Sequence, residues 1–580
     1  MEGTCSENPV TCSFNSTDMK RQFALLLFIV LFGLGKIKAQ TNVSGFINAN
    51  TTWTLAGSPY IVVGNALLSQ GFTLTIDPGV VVKFNSNNAL QIDGQLIAIG
   101  TPTQRIVFTS NQSSPQPGDW AKLHFSDFSV DATYDAAGNY VSGTILKYCD
   151  VLYAGSLMWG SVDIQQCSPY FNHCRIHNGS WNGINFNGEH LTVDSSSIKD
   201  CAKRGIYYQG GHFLMRSDTF YSCGEGALHF IHTPDGTQSR ITNSFFRQNY
   251  GAISWQNNGL QQVTIQNSVF IYNNGPAVVS LQGQGDTIRC NRFRYNTGGP
   301  AIEWGDMAYP HCGGIIDNNL IEYNVNQSGP SVFSIGAGYY TGAGDTLFIS
   351  KNLVTHNSSP GNSCSFFYAD MNGNTTRCVQ IYDNVFTEND GNSFMRFWGQ
   401  QNNDPTYDFL YLRNNSFINP LCQYEFYNDI PYGSPNLFLS NNYWGTASTT
   451  VVDTKIYDYF DFANQSVVYY MPILQSPIIP DTLCNPFVQP PSFVDEWSKS
   501  EGELNVYPNP ATDDVTVNLA AYDYSTEGQV EVLNALGEVV NMYNVVNTTT
   551  VQIRLPESVG VYFVRYVTKE SVYVSRVIKK

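Results

Sequence analysis

An internal repeat constrains this chain more than any other feature. From about residue 145 one phrase recurs: an Asn, Ser or Asp pair, one variable residue, a large apolar residue, and often Asn three positions on. It reads Asn243-Ser244-Phe245-Phe246 with Asn249, Asn267-Ser268-Val269-Phe270 with Asn273, Asn318-Asn319-Leu320-Ile321 with Asn324, and Asp383-Asn384-Val385-Phe386 with Asn389. With the apolar residue as landmark, the series is Val151, Ile176, Ile198, Phe220, Phe246, Phe270, Phe293, Ile321, Val354, Phe386, Phe417 and Trp444. Steps of 22 to 26 residues dominate the first half and lengthen to as many as 33 in the second. Such a period means stacked units, each burying its apolar face on its neighbours.

The local pattern selects the unit. Gly183-Ile184-Asn185-Phe186, Gly205-Ile206-Tyr207-Tyr208 and Gly251-Ala252-Ile253-Ser254-Trp255 alternate at period 2, the signature of strands. Leucine-rich repeats would show LxxLxL and propeller blades would need 40 or more residues, so one turn of a parallel β-helix fits the period. Charged residues make up 13% of the chain and aromatics 14%, which excludes both disorder and coiled coils. The strand after the bend is expected to point Ile184/Phe186, Ile206/Tyr208, Leu228/Phe230, Ile253/Trp255 and Ile302/Trp304 inward. Asn185, Tyr207, His229, Ser254, Val279 and Glu303 are then expected to point outward.

A column of Asn249, Asn273, Asn296, Asn324, Asn357 and Asn389 follows the landmarks. Asn tolerates the left-handed backbone of a sharp bend, and a stacked amide can bond along the column. A structural ladder is the reading taken for these residues, not a binding motif.

The repeat resembles the right-handed parallel β-helix of the pectate-lyase-like superfamily. Its entry coils, Leu74-Thr75-Ile76-Asp77-Pro78-Gly79-Val80-Val81-Val82-Lys83-Phe84 and Gly94-Gln95-Leu96-Ile97-Ala98-Ile99-Gly100-Thr101, are similar to that group's opening, and the resemblance runs over roughly 45–480. About 15 coils at ~4.8 Å each would make a rod of roughly 70 Å. The prolines at 477, 480, 486, 490 and 491 then mark a stiff linker. Beyond it, Val515-Thr516-Val517-Asn518-Leu519, Val530-Glu531-Val532-Leu533 and Val551-Gln552-Ile553-Arg554-Leu555 alternate as in a small β-sandwich. Val506-Tyr507-Pro508-Asn509-Pro510-Ala511, Leu555-Pro556, Gly560-Val561-Tyr562-Phe563-Val564 and Lys579-Lys580 resemble the sorting domain of cargo of the type IX secretion system. The resemblance implies passage across the outer membrane of a Gram-negative bacterium, loss of this domain, and release or attachment at the cell surface. The expected fold is all-β: a right-handed parallel β-helix solenoid over 40–480, a linker over 481–503 and a β-sandwich sorting domain over 504–580.

At the N-terminus Lys20 and Arg21 precede the apolar run Phe23 to Leu34, with a plausible cut after Ala39. Residues 1–39 are expected to be a signal peptide region, with Met19 as its true start, and the run is too short for a permanent transmembrane helix. Export makes disulfides expected, and eleven of the thirteen cysteines lie beyond residue 39. Cys149 and Cys174 occupy equal places on neighbouring coils, as do Cys201 and Cys223; each pair is either bridged or a stacked pair of thiols. Cys364 and Cys378 bracket one insertion and are expected to close it. Cys290 with Cys312, and Cys422 with Cys484, complete the set and leave Cys167 free.

The net charge of −17 excludes nucleic acid as a partner. A glycosidase would need carboxylates about 5–9.5 Å apart. His229 and Glu303 fall three coils, roughly 14 Å, apart, and Lys203 with Glu225 reads as a surface ion pair. Zinc on Cys201, His212, Cys223, His229 and His232 is set aside because the spacing is irregular and export oxidises thiols. No cofactor is expected; scattered Asp and Asn leave calcium open. The function expected is a monomeric, secreted or cell-surface protein binding polysaccharide or surface glycan, or acting in adhesion. Its candidate strip is Asn185, Asn187, Tyr207, Gln209, His229, Ser254 and Gln256. A polysaccharide lyase or glycosidase, and a non-catalytic surface rod, are the alternatives.

Overall fold

The computed structural model describes residues 40–479, Cys484 and 504–580, less the segments 232–237, 257–261, 282–284, 306–312, 338–345, 371–378, 400–409, 433–435, 520–527, 534–538 and 568–571 and positions 137, 546, 547 and 557. The expected signal peptide region 1–39 and the linker segment 485–503 lie outside these residues, as do Cys312, Cys378 and His232.

Consecutive strands of a coil lie on different faces, so each pairs with its equivalent one full coil away, a connection long enough for parallel crossover, and each coil hydrogen-bonds in register to the next. The result is a single 41-stranded sheet system in which every pairing is parallel. Each coil contributes three strands. A first-face strand such as Tyr170–Asn172 is followed by a second-face strand, Arg175–His177, and then by a third-face strand, here the start of Ile184–Asp194. Between Cys149 and Ile418 the landmark residues form one register on the second face: Val151 opposite Ile176, Ile198 opposite Phe220, Phe246 opposite Phe270, Phe386 opposite Phe417. All are buried. Phe220, Phe246, Phe270 and Phe293 stack nearly parallel with ring centroids 5.0, 4.7 and 4.6 Å apart. Each such ring contributes about 1.5–3 kcal/mol by leaving water.

The recurring Asn/Ser/Asp pair divides two tasks between its members. The first member takes the left-handed conformation, as Asn243, Asn267, Asn318, Asp383 and Asn414 do with φ of 53–59°. The second turns into the rod and accepts the backbone N–H of the coil before it. Ser244 N donates to Ser268 Oγ at 3.1 Å, Ser268 N to Asn291 Oδ1 at 2.9 Å, and Asn319 N to Asn352 Oδ1 at 2.9 Å. This column runs from Cys174 to Asn442. A second column lies on the other side of each landmark. Asn273 Nδ2 donates to Asn296 Oδ1 at 3.0 Å, Asn296 to Asn324 at 2.8 Å, Asn324 to Asn357 at 2.9 Å and Asn357 to Asn389 at 2.9 Å. Asn249 joins it from the N-terminal side at 3.1 Å.

Here the sequence expectation needs correction. The left-handed residues at this bend are Gln248, Tyr272, Tyr295, Tyr323, His356 and Glu388, each one position before the column asparagine. The amides are needed inside, where they satisfy buried backbone groups. The strained backbone therefore falls on the neighbour, whose side chain swings outward: Tyr272, Tyr295, Tyr323 and His356 stack along the rod with centroids 5.4, 5.2 and 4.9 Å apart.

The cysteine pairs extend these two columns toward the N-terminus. Cys149 and Cys174 follow the left-handed Tyr148 and His173; Cys201 and Cys223 follow Asp200 and Ser222. All four are buried and stand here as thiols, as do Cys167, Cys364 and Cys422. Cys290 is bonded to Cys484, 194 residues away. That pairing replaces both Cys290 with Cys312 and Cys422 with Cys484. Position on neighbouring coils could not identify it, because Cys484 comes after the last coil.

The C-terminal residues form their own β-structure. Asn505–Tyr507, Asp514–Asn518 and Thr550–Arg554 make one antiparallel sheet, and Gly528–Leu533, Val539–Val545, Gly560–Val567 and Val572–Lys579 another. Val515, Val517, Val530, Val532, Ile553 and Val564 fill a core of their own.

Candidate functional site

The third face presents one continuous outward row, fixed by parallel register. From the N-terminal side it runs Gln91, His124, Asp163, Asn185, Tyr207, His229, Ser254, Ser280, Glu303, Ser334, Phe367, Arg396, Tyr427, Tyr457. Their in-strand neighbours, among them Phe186, Tyr208, Phe230 and Trp304, are fully buried. Val279, expected to point outward, pairs with Ile253 and Ile302 and is buried; Ser280 holds the outward place. In Ala277-Val278-Val279-Ser280-Leu281 three apolar residues run together, so alternation alone did not fix which faced in.

The candidate strip falls in the middle of this row. Asn185, Tyr207, His229 and Ser254 are consecutive members, while Asn187, Gln209 and Gln256 belong to the adjoining row, with Ile231 between the last two. Asn185 is buried and donates from Nδ2 to Asp163 Oδ1 at 2.8 Å, so it positions the carboxylate. Tyr207 lies between the guanidinium of Arg204, 5.5 Å from its ring centre, and His229, 5.6 Å away and stacked. His229 Nδ1 meets Ser254 Oγ at 2.7 Å. Burial and the charge of Arg204 push its imidazole down to about 4, so it is neutral at physiological pH.

Sequence reasoning missed both ends of the row. At the N-terminal end Asp163 accepts from Lys122 Nζ at 2.7 Å and Gln165 Nε2 at 3.0 Å, and meets His124 Nδ1 at 3.1 Å. Burial alone would raise this carboxyl. The hydrogen bonds from His124, Lys122 and Asn185 outweigh it and hold the group well below the usual carboxylate range. The alternation in Val162-Asp163-Ile164-Gln165 was the signal that could have found it. At the other end Arg396 pairs with Asp429, lies 5.3 Å from the ring centre of Tyr427, and lines a cavity of about 310 Å3 with Asn392, Ser393 and Tyr427. Tyr427 and Tyr457 stack at 4.2 Å, and Tyr424 meets both edge-on.

Chemically this is a row of hydroxyls, amides and rings in which charge is paired. Lys122 is matched by Asp163, Arg396 by Asp429, and at the rim Lys203 and Arg204 by Glu225. Asp163 and Glu303 are six strand spacings apart, roughly 29 Å, far beyond the separation of a hydrolytic carboxylate pair. Glu303 instead accepts from Ser280 Oγ at 2.8 Å. Among the described residues no group of three or more His, Cys, Asp or Glu side chains could hold a metal ion.

The connections on either side of this face are longer and more varied than those between the first and second faces. Two residues link Thr242 to Phe245, Gln266 to Val269 and Asp317 to Leu320, where first and second faces meet. From the third face to the next first-face strand the chain spends two residues from Ile92 to Gln95, four from Leu281 to Asp286, ten from Gly399 to Leu410 and nineteen from Phe125 to Ile145. From the second face to the third it spends five from Arg247 to Ile253 and twelve from Ser110 to Leu123. Insertions in a solenoid often mark its binding face.

Comparison with known proteins agrees with this architecture. Residues 128–293 match the family model of the right handed beta helix region, and residues 505–580 that of the secretion system C-terminal sorting domain. The chain is thus a right-handed parallel β-helix protein carrying a type IX sorting domain, which implies a secreted or cell-surface protein. Protein bark beetle of Drosophila melanogaster is 42% identical over 57 residues, which is 10% of this chain and 2% of that protein's length. Among solved structures, pectate lyase Pel9A is 14% identical over 51% of this chain and 70% of its own, with a TM-score of 0.24. A double mutant of the tailspike protein of E. coli bacteriophage HK620 is 11% identical over 97% and 89%, with a TM-score of 0.25. The strand pairings themselves establish the fold.

Proposed function

We propose that this protein is a non-catalytic glycan-binding rod, exported through its sorting domain and held at the outer-membrane surface or released from it. The observation that carries the reading is the third-face row, where aromatic rings are interspersed with hydroxyl and amide groups and the cations are paired with carboxylates. Sugar rings offer apolar faces to aromatics and hydroxyls to amides and carboxylates, and such a surface binds them without attacking a bond. The wide spacing of Asp163, Glu303 and Asp429 along the rod supports binding over hydrolysis. Charge pairing favours an uncharged polymer, because a uronate would find no free guanidinium or ammonium on this row among the described residues.

The test exposes the full chain to neutral, uronate and sulfated polysaccharides, with and without calcium. Retention on a polymer, new reducing ends and unsaturated products are read separately. Retention on a neutral polymer without new ends is expected, weakened about tenfold or more by Tyr207→Ala and by Arg396→Ala, since buried aromatic and Arg anchors dominate interface energies. New reducing ends would make the protein a hydrolase, and unsaturated ends a lyase. Either result would overturn the proposal, as would an absence of retention on every polymer.

A further inference from the structure

A second cavity, of about 270 Å3, is built from the last turns of the rod, between Asp453 and Met471, apart from the cavity of Arg396 and Tyr427. Ile456 and Val468 are its buried base. Phe460 and Tyr469 line it and are 77% and 48% exposed, far more than core aromatics of this chain. Phe438 stacks on Tyr469 with centroids 5.1 Å apart, which stiffens that ring. Asp458 fixes the turn that carries Phe460: its Oδ1 accepts Phe460 N at 2.9 Å and its Oδ2 accepts Val468 N at 2.8 Å. Asp453 is exposed and accepts the Tyr470 hydroxyl at 3.2 Å, leaving the carboxylate lone pairs for further donors.

Two rings held open to solvent, beside a carboxylate with acceptor capacity, ask for a ligand with one apolar face and a rim of hydroxyl donors. We infer that this cavity is a binding subsite for one uncharged sugar ring, seated against Phe460 and Tyr469 with hydroxyls donating to Asp453. The lining carries two carboxylates and no cation. A uronate or sulfated sugar would therefore meet like charge in a half-enclosed site, where repulsion is poorly screened. The volume lies at the lower edge of small-molecule sites, which suits a single ring or chain end. The inference does not rest on the third-face reading; it adds a second point of attachment, and two linked sites raise the effective concentration of each for one polymer.

The full chain is titrated with cellohexaose, mannohexaose and hexagalacturonate by calorimetry. At least one neutral hexasaccharide is expected to bind. Phe460→Ala and Tyr469→Ala should each weaken that binding tenfold or more, and Asp453→Asn several-fold. Both rings are exposed, so circular dichroism and melting should be unchanged; Tyr470→Phe, which removes one hydroxyl, serves as a milder variant. A Tyr207→Ala/Arg396→Ala double variant should keep the Phe460-dependent part of the binding. The subsite is overturned if Phe460→Ala and Tyr469→Ala bind every probe like the parent, or if the binding they lose is that of hexagalacturonate. A third-face double variant that loses all binding, while Phe460→Ala loses none, also overturns it and leaves the third face as the sole site.

Discussion

Asn419 closes the second amide column on the carboxylate of Glu425: its backbone N donates to Oε1 and its Nδ2 to Oε2, each at 2.7 Å. Each asparagine before it in the column donates its backbone N–H and one Nδ2 hydrogen to the Oδ1 of the next. At the last one a carboxylate accepts both, and Glu425 is almost fully buried to do so. Glu425→Gln puts an amide N–H where an acceptor is needed, leaving a buried donor unmet at a cost of about 1–3 kcal/mol. Hydrogen exchange should show the coils near Asn419 opening first, with the N-terminal coils unchanged, since repeats couple mainly to their neighbours. Uniform loss of protection along the rod would contradict this.

In mid-column the loss should be greater. Asn324 accepts from both the backbone N and the Nδ2 of Asn296, and donates to Asn357 Oδ1 and to the carbonyls of Phe293 and Glu322. Asn324→Ala strands the two donors of Asn296 in a dry interior, for a cost of about 2–4 kcal/mol. The backbone amide of Asn296 is the reporter, and its exchange should accelerate more than that of amides three coils away.

Much of this fold was legible because its repeat is written in chemistry. A stack needs an apolar residue at one place and a self-pairing side chain on either side of it, and Phe246, Phe270 and Phe293 with their flanking Asn and Ser meet that need in sequence. Legibility failed where a rule is shared between neighbours. Asn is a good left-handed residue and takes that role at Asn243 and Asn267, yet the second column puts Tyr272 and Tyr295 there and keeps its Asn inside. It failed again where lengthening connections hid register, so Phe367, Arg396, Tyr427 and Tyr457 were not seen to continue the row of Tyr207 and His229.

Register at residues 278–281 is open to direct test. Val279 is buried against Ile253 and Ile302, and Ser280 faces outward. Val279→Ser should cost about 1.5–3 kcal/mol from lost apolar burial and an added hydroxyl, whereas Ser280→Val, which gives up only the hydrogen bond to Glu303, should cost about 0.5–1.5 kcal/mol. Chemical denaturation of the two variants checks it. The reverse order would place the strand one residue out of register.

The cysteines make a separate prediction. Cys149 with Cys174 and Cys201 with Cys223 stand at column positions on adjacent coils, ~4.8 Å apart in strand spacing and within the reach of a disulfide. Protein recovered from an oxidising compartment should carry both bridges together with Cys290–Cys484. Alkylation in denaturant before reduction, followed by peptide mapping, should label Cys167 and Cys422 and leave these six unlabelled. Labelling of Cys201 and Cys223 would show that the columns keep them as thiols.

Three histidines set an acid limit on the rod. Burial and nearby Lys199, Arg175 and Arg105 push His177 down to about 3; burial, with His212 and Arg216, pushes His190 to about 4; burial and Arg204 push His229 to about 4. In the unfolded chain each titrates near ~6.5. Their folded values are depressed, so the unfolded state binds protons more readily as pH falls. Stability from these groups is therefore full above pH ~6.5 and is lost progressively as pH drops toward about 4. The depressed carboxyl of Asp163 adds a further loss only below ~3.9, where the unfolded carboxyl takes its proton. The three imidazoles should thus lower the melting temperature between about pH 6.5 and 4.5, where Asp163 does not yet contribute. The carboxyls that burial raises, Asp218, Glu425 and Asp458, pull the other way there. His229→Gln should make the acid-side decline shallower than in the parent. An unchanged profile in His229→Gln would mean that this imidazole keeps an ordinary value in the folded rod.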